Sequence, residues 1–292
     1  MSESSFEFVP RMDTPLIVGI AGPSTSGKTG SALSLAHGFQ EILGGDIGMC
    51  DTEAGRGNHL QGAPQFEDKT KVFRYKYMEL KAPYSPARHT EAIDKAMKQG
   101  IKHLIIDSMS HMHESEGGFL DTHMKEAEEM AKRECERQGK PYTGYYEHKN
   151  LPAWAKPKAQ IALFRSHFTQ QKINLIFCFR AKEKVELVAG GKPKKLGFQP
   201  IITDDIKFEM ISRFLLYPGA KGVPTYTPDP EAPDEKSMLN IPEYFLPIFA
   251  DPKKALSVWH GRQMAIWAQG KKQAAAPVTT PVASASKPAD AI

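Results

Sequence analysis

Residues 22–29, GPSTSGKT, place two glycines, a lysine and a threonine at the spacing of a loop that binds nucleotide phosphates. Glycines let the backbone wrap around phosphate oxygens, and the amides at the start of a following helix offer them positive potential. Lys28 is expected to contact the β and γ phosphates, and Thr29 to bind Mg²⁺ through its hydroxyl. A chance glycine-rich turn is the alternative. We therefore predict an ATP and Mg²⁺ site formed by Gly22, Pro23, Ser24, Thr25, Ser26, Gly27, Lys28, Thr29 and Gly30.

Two acidic residues are candidates for the other functions of such a site. Asp107 ends the apolar run HLIID, where it would hold Mg²⁺ directly or through water. Glu53 follows a second apolar run in CDTEAGRG, where it would orient or deprotonate the attacking water. The alternatives are that Asp107 caps a turn and that Glu53 is an exposed loop residue. The hypothesis assigns Mg²⁺ binding to Thr29 and Asp107, and catalysis to Glu53 and Lys28.

Apolar runs separated by helical patterns indicate the elements that position these residues. Strands are predicted at residues 15–21, 46–53, 71–80, 103–108 and 173–179, with further β structure over 207–227. Helices are predicted at residues 28–42, 86–99, 119–138, 158–171 and 252–269. The sequence AGGK, residues 189–192, predicts the turn of a β-hairpin. Strands that alternate with helices are typical of an α/β fold with a mainly parallel central sheet flanked by helices.

The chain has 292 residues, of which 40% are hydrophobic and 25% charged, enough for one large α/β domain or two small ones. We divide it into an N-terminal arm (1–13), a domain (14–270) and a disordered tail (271–292) rich in Ala, Pro, Ser and Thr. The three cysteines form no C-x-x-C pair, which argues against a zinc–cysteine site and suits a reducing compartment. No signal peptide or membrane-spanning run is predicted, so we expect a cytoplasmic protein.

The motifs narrow the class of nucleotide-binding protein. The sequence has neither N-K-x-D, which indicates a GTPase, nor L-S-G-G-Q, which indicates an ABC ATPase. Asp107 is followed by Ser108 rather than by the glutamate of AAA+ and helicase types. GPSTSGKT, CDTEAG and LIIDSMSHM together resemble the P-loop, catalytic-glutamate strand and Mg²⁺ strand of the RecA-like ATPase core. DTEAGRG, LIIDS and FRAKEK resemble, more narrowly, phage-encoded single-strand annealing ATPases of the Sak type.

This resemblance covers roughly residues 14–217 and implies a RecA-like P-loop NTPase fold with ATP and Mg²⁺ as cofactors. The implied activity is ATP hydrolysis coupled to single-stranded DNA binding, annealing and homologous recombination. The resemblance also implies a homo-oligomer, a single-strand-binding protein as a second partner, no membrane association, and the host cytoplasm as the location of a phage-encoded protein. Arg180 stands where RecA has a glutamine that senses the γ phosphate, and it becomes a third catalytic candidate.

The segment at residues 180–195 is basic, with Arg180 and five lysines against two glutamates, a local excess of four positive charges. Lysines on a hairpin suit sequence-independent contacts with DNA phosphates. The alternative is an ordinary solvated hairpin. Aromatic residues in the insertion after the fourth strand are predicted either to stack on DNA bases or to pack beneath the insertion: Tyr142, Tyr145, Tyr146 and Trp154.

Two functions of other classes remain open. A P-loop kinase that phosphorylates a small molecule needs an arginine-rich lid over the transferred phosphate, and Arg133 and Arg137 lie in the long insertion where such a lid would be. They belong, however, to a predicted helix that is dense in glutamate. An ATP-dependent assembly factor that acts on a protein partner is the second alternative.

Overall fold

The computed structural model describes residues 13–144, 149–187, 193–226, 232 and 240–270. The predicted N-terminal arm, apart from Asp13, lies outside the described residues. So do the predicted tail at 271–292 and the predicted turn at 189–192. The described residues thus span most of the predicted domain at 14–270.

A mostly parallel sheet forms the centre of the fold. The strands of the described residues are β1 Ile17–Gly22, β2 Asp46–Asp51, β3 Lys76–Glu79, β4 Ile101–Asp107, β5 Asn174–Glu186, β6 Lys194–Pro200 and β7 Ser212–Leu215. Their order across the sheet is β3-β2-β4-β5-β1-β7, and all neighbours in this order are parallel. β6 pairs only with β5, in antiparallel register. Because parallel neighbours need crossover connections, helices must cover the faces of the sheet.

The helices are α1 Lys28–Leu43, α2 Pro86–Lys98, α3 His111–Glu114, α4 Phe119–Gln138, α5 Asn150–Ala153, α6 Ala155–Thr169, α7 Asp204–Lys207 and α8 Val258–Ala268. Short 3₁₀ turns occupy Arg56–Leu60 and Glu243–Phe245 in the described part of the chain. Each helix in the described part of the chain is too short or too polar to cross a membrane.

Two hydrophobic cores lie on the two faces of the sheet. One contains Leu33 of α1 and Met264 of α8, and the other contains Ile93 of α2 and Phe164 of α6. α1 and α8 approach each other closely at glycines, since a Cβ on Gly38 would lie 2.3 Å from the carbonyl oxygen of Val258. This close packing fixes the position of α1, whose first turn follows the glycine-rich loop.

The predicted α/β class with a mainly parallel sheet is confirmed. All five predicted strands and all five predicted helices occur, with shifted ends. The prediction of β structure over 207–227 is largely wrong, because within the described part of that range, 207–226, only Ser212–Leu215 forms a strand. α7 ends at Lys207, where the predicted segment begins, and Pro218 and Gly219 follow soon after the strand. β5 is longer than predicted and continues to Glu186 as one arm of the hairpin.

Candidate active site

The carboxyl ends of four parallel strands meet at one edge of the sheet, where ligands bind in open α/β sheets. β1 ends at Gly22, β2 at Asp51 and β4 at Asp107. In the strand register, Gly22 lies beside Arg180 of β5, and Asp51 lies beside Asp107. The sheet therefore brings the predicted phosphate loop, the two acidic segments and Arg180 to the same edge.

The loop between β1 and α1 is tightly folded. Gly27 has a φ of 99°, a left-handed conformation that suits glycine, and it precedes the first residue of α1. A Cβ on Gly22 would lie 2.5 Å from Ser26 Oγ, so the close approach also requires glycine there. The Ser26 hydroxyl and the Lys28 ammonium both donate to the Pro23 carbonyl, at 2.9 and 2.7 Å. Lys28 thus folds back over the mouth of the loop, with its charge beside the helix N-terminus.

Thr29 and Asp107 form a pair of oxygen donors beneath the loop. The Thr29 hydroxyl donates to Asp107 Oδ2 at 2.6 Å. Burial raises the pKa of Asp107 to about 6, and the charge of Glu53 adds to this, while the Thr29 hydrogen bond and Lys28 oppose it. A cation bound beside Asp107 would favour its ionised form and lower this pKa. The placement fits the predicted metal-binding roles of both residues.

Glu53 and Arg180 form an ion pair across the same edge. Arg180 Nε donates to Glu53 Oε1 at 2.9 Å, and Arg180 Nη1 lies 4.0 Å from Glu114 Oε1. Glu114 also pairs with Lys182, at 3.2 Å. The backbone N–H of Arg180 donates to the buried Ser110 hydroxyl at 2.9 Å. Glu53 lies two residues beyond the end of β2, so its prediction as a strand residue is wrong, although it does face the site.

A buried carboxylate that the sequence interpretation missed fixes the backbone at Glu53. Asp51 accepts hydrogen bonds from the N–H groups of Glu53 and Gly57, at 2.6 and 2.9 Å. It also accepts one from the Tyr77 hydroxyl at 2.8 Å, and burial followed by this bond raises the pKa of Tyr77. The signal in the sequence was an acid two residues before Glu53 in CDTE. Asp51 therefore ties together β2, the following turn and β3.

Thr52 joins the ends of β2 and β4. Its hydroxyl accepts from the Ser108 N–H at 2.8 Å and lies 2.7 Å from His111 Nδ1. The Thr52 N–H donates to the Asp107 carbonyl at 2.8 Å. The Asp107–Ser108 peptide bond is cis. The hydrogen bonds of Thr52 set the spacing between the segment that carries Glu53 and the segment that carries Asp107.

A cavity of about 1500 Å³ opens at this edge. It is lined by every predicted site residue except Gly22 and Ser26, which lie within the loop beneath it. No cluster of three or more His, Cys, Asp or Glu residues suited to a metal occurs in the described ranges. Thr29 and Asp107 nevertheless fit Mg²⁺, because that ion is commonly held by one or two protein oxygens together with phosphates and water.

Of the predicted DNA-contacting residues, Lys182 lies at the cavity and Trp154 lies within the insertion. Lys182 lines the cavity, and the β5 segment from Lys182 onward is exposed. Trp154 instead stacks on His123, with ring centroids 3.6 Å apart, and also contacts Phe119. It therefore packs beneath the insertion, and the base-stacking prediction for Trp154 is not supported. Tyr145, Tyr146 and Lys192 lie outside the described residues.

Neither arginine of the predicted lid, Arg133 or Arg137, is directed to the cavity among the described residues of the insertion. Arg133 pairs with Glu126 and Glu129 of its own helix, and Arg137 pairs with Glu134. Neither residue lines the cavity. No family model matches the chain, and no curated protein matches it either, so its function must be inferred from the chemistry of this site.

Proposed function

We propose that this protein is a RecA-like, Mg²⁺-dependent ATPase that binds single-stranded DNA and promotes annealing or homologous recombination. The observation that carries the proposal is the meeting of loop 22–29, the Thr29–Asp107 pair and the Glu53–Arg180 pair on one cavity. A phosphate-binding loop, a metal-binding carboxylate, a carboxylate that positions water and a cation near the γ phosphate are the groups that phosphoryl transfer requires.

Each group at the site has its own role in the proposed ATP hydrolysis. Loop 22–29 and the N-terminus of α1 bind the phosphates through backbone N–H groups, and Lys28 adds a positive charge. Thr29 and Asp107 would hold Mg²⁺, and the bound ion would supply positive charge beside the phosphate oxygens. Glu53 accepts a proton from the attacking water. Asp51 keeps the Glu53 backbone in place while the side chain changes its partner.

Arg180 supports a coupling between the nucleotide and the basic hairpin formed by β5 and β6. A terminal phosphate that entered the cavity would compete with Glu53 for the Arg180 guanidinium, because phosphate offers more acceptors and more charge. If the Arg180 guanidinium changed its partner from Glu53 to the phosphate, the Glu53 carboxylate would be free to accept a proton from water. It would also change the charge beside Glu114, which holds Lys182 of the hairpin.

Support for single-stranded DNA comes from charge and exposure. The paired hairpin strands carry Lys182, Lys184, Lys194 and Lys195, all of them exposed. The hairpin begins at the cavity, since Lys182 lines it. Exposed lysines contact phosphates without reading base sequence, as annealing requires. A kinase lacks comparable support, because Arg133 and Arg137 are paired on α4.

The proposal predicts that ATP controls DNA affinity through Arg180. The wild-type protein should bind a labelled single-stranded oligonucleotide several-fold more tightly with a non-hydrolysable ATP analogue than with ADP. Arg180→Ala should make the two affinities equal, because the contact between the γ phosphate and the hairpin is lost. Fluorescence anisotropy measures both, and ATP turnover with and without DNA is recorded alongside.

Two results would contradict this function. Equal DNA affinity of the wild-type protein with the analogue and with ADP would refute the coupling. Absence of DNA binding under either condition, with intact ATP turnover, would favour the assembly factor, and phosphate transfer to an added small acceptor would favour the kinase.

A second prediction concerns the hairpin lysines. Combined replacement of Lys184, Lys194 and Lys195 by Ala should reduce the salt slope of single-stranded DNA binding by about 2, since each lost phosphate contact contributes about 0.7. DNA-free ATP turnover should remain unchanged. The measurement is oligonucleotide anisotropy over a salt series.

The matched control removes three exposed lysines from the opposite, amino edge of the sheet: Lys98, Lys102 and Lys172. This variant loses the same net charge. If it lowers the slope as much as the hairpin variant does, binding depends on overall charge, and the hairpin is not the DNA contact.

A further inference from the structure

Part of the cavity extends beyond the groups that phosphate chemistry uses. Three hydrogen bonds join the chain segments that form one wall of this part of the cavity. The Gly222 N–H donates to the Ser26 carbonyl, and the Leu256 N–H donates to the Gly222 carbonyl, both at 2.9 Å. The Val258 N–H donates to the Glu67 carboxylate, also at 2.9 Å. This wall starts at the glycine-rich loop and ends at the residue after Phe66.

At the end of this wall, the Phe66 ring packs against α1. A Cβ on Gly30 would lie 2.5 Å from Cε2 of the Phe66 ring, so the ring rests on the first turn of the helix. The ring meets Phe73 edge-on, with centroids 5.3 Å apart at an interplanar angle of 68°. Phe66 is nevertheless 54% exposed and lines the cavity. A large aromatic ring is thus held in place beside the loop, with much of its surface open.

Other residues that line the cavity have a matching character. Ala255 and Leu256 provide apolar contact, and Lys254 and Ser257 provide polar groups around them. Glu67 adds a carboxylate, which can accept several hydrogen bonds and is therefore not exhausted by the Val258 N–H. A planar ligand with an apolar face and amino groups at its edge suits such a space.

We propose that this part of the cavity is the purine-base subsite, in which the base stacks on Phe66 and an amino group at its edge approaches Glu67. The inference rests on the proposed function, because it assumes that a nucleotide's phosphates occupy loop 22–29. Gly30 is the last residue of the predicted ATP and Mg²⁺ site and directly follows Thr29, so the Phe66 ring lies at the border of that site. Phe66 and the residues of loop 22–29 line the same cavity, so one bound nucleotide has both within a single space.

The test separates the base from the phosphates. Calorimetry in the presence of Mg²⁺ measures the binding of ATP and of inorganic tripolyphosphate to the wild-type protein, Phe66→Ala and Phe66→Trp. Phe66→Ala should weaken ATP binding about tenfold, which corresponds to about 1.4 kcal/mol, the scale of one lost base–aromatic stack. Tripolyphosphate binding should not change. Phe66→Trp should keep ATP affinity within about twofold, because an indole also stacks on a base.

Phe208→Ala serves as the control, since Phe208 is 76% exposed and is not among the described residues that line the cavity. If Phe66→Ala weakens ATP and tripolyphosphate equally, Phe66 only supports α1, and the base subsite is wrong. The subsite is also wrong if Phe66→Ala binds ATP normally while Lys28→Ala does not. Failure of the wild-type protein to bind ATP at all would refute the proposed function, and the subsite with it.

Discussion

Lys28→Ala is expected to reduce ATP turnover below detection and to weaken ATP binding by about 100-fold or more, the upper range for a lost hydrogen bond to a charged group. Lys28 lies at the N-terminus of α1, and its ammonium is held 2.7 Å from the Pro23 carbonyl, across the mouth of the loop. Removal of this charge leaves the phosphates with backbone donors only. ATP binding is measured by calorimetry, and turnover by phosphate release.

A second variant and a control make this result interpretable. Lys28→Met keeps the apolar stem that packs on the loop, and it should show the same loss if the charge is what matters. Lys172→Ala removes an exposed lysine just before β5, at the far edge of the sheet, and should behave as the wild-type protein does. A correctly folded Lys28→Ala variant with wild-type turnover would show that loop 22–29 is not the site of ATP hydrolysis.

Glu53→Gln is expected to slow ATP hydrolysis by about 100-fold or more, the scale for loss of a general base, while Mg²⁺-dependent ATP binding is kept. The amide has nearly the same shape, and its oxygen can still accept from Arg180 Nε, as Glu53 Oε1 does at 2.9 Å. The change removes the negative charge and the ability to take a proton, while the shape and the hydrogen bond to Arg180 are kept. Single-turnover hydrolysis and equilibrium ATP binding give the two quantities.

Two further variants distinguish the roles of the carboxylates at the carboxyl edge of the sheet. Glu114→Gln removes a negative charge that also lies near Arg180, and it should leave DNA-free hydrolysis within a few-fold of the wild-type rate. Asp107→Asn should instead weaken Mg²⁺-dependent ATP binding, because one of the two protein oxygens for the metal loses its charge. Normal hydrolysis by Glu53→Gln would mean that another group activates the water.

The sequence predicts the parts of the site that depend on local pattern. A buried strand, a glycine-rich loop and a helix follow one another at residues 15–42, and the structure has β1, the loop and α1 there. Asp107 and Glu53 were identifiable because each follows an apolar run. Parallel strands then bring such ends together, so Thr29 and Asp107 meet although they are 78 residues apart in sequence.

Other features of the site depend on contacts that side-chain pattern does not encode. The wall from Ser26 to Leu256 is built from backbone N–H and carbonyl groups, which every non-proline residue carries, so no motif marks it. Phe66 follows no periodic pattern, and only its contact with Gly30 places it at the cavity. Asp51 was visible as an acid, but its role depends on Tyr77 in a strand 26 residues later.

β5 runs as one strand through Arg180 into the hairpin, with a register shift between Lys184 and Val185, and this continuity gives Arg180 a mechanical consequence. The same strand pairs with β1 up to Arg180 and with β6 from Ala181 to Glu186. A strand rises about 3.3 Å per residue, so Glu186 lies at most about 20 Å beyond Arg180, and a tilt of about 10° at Arg180 would displace it by up to about 3.5 Å. A tilt at Arg180, the residue that pairs with Glu53, thus moves the far end of the hairpin most. Small movements of one guanidinium would be amplified at the lysine-bearing end.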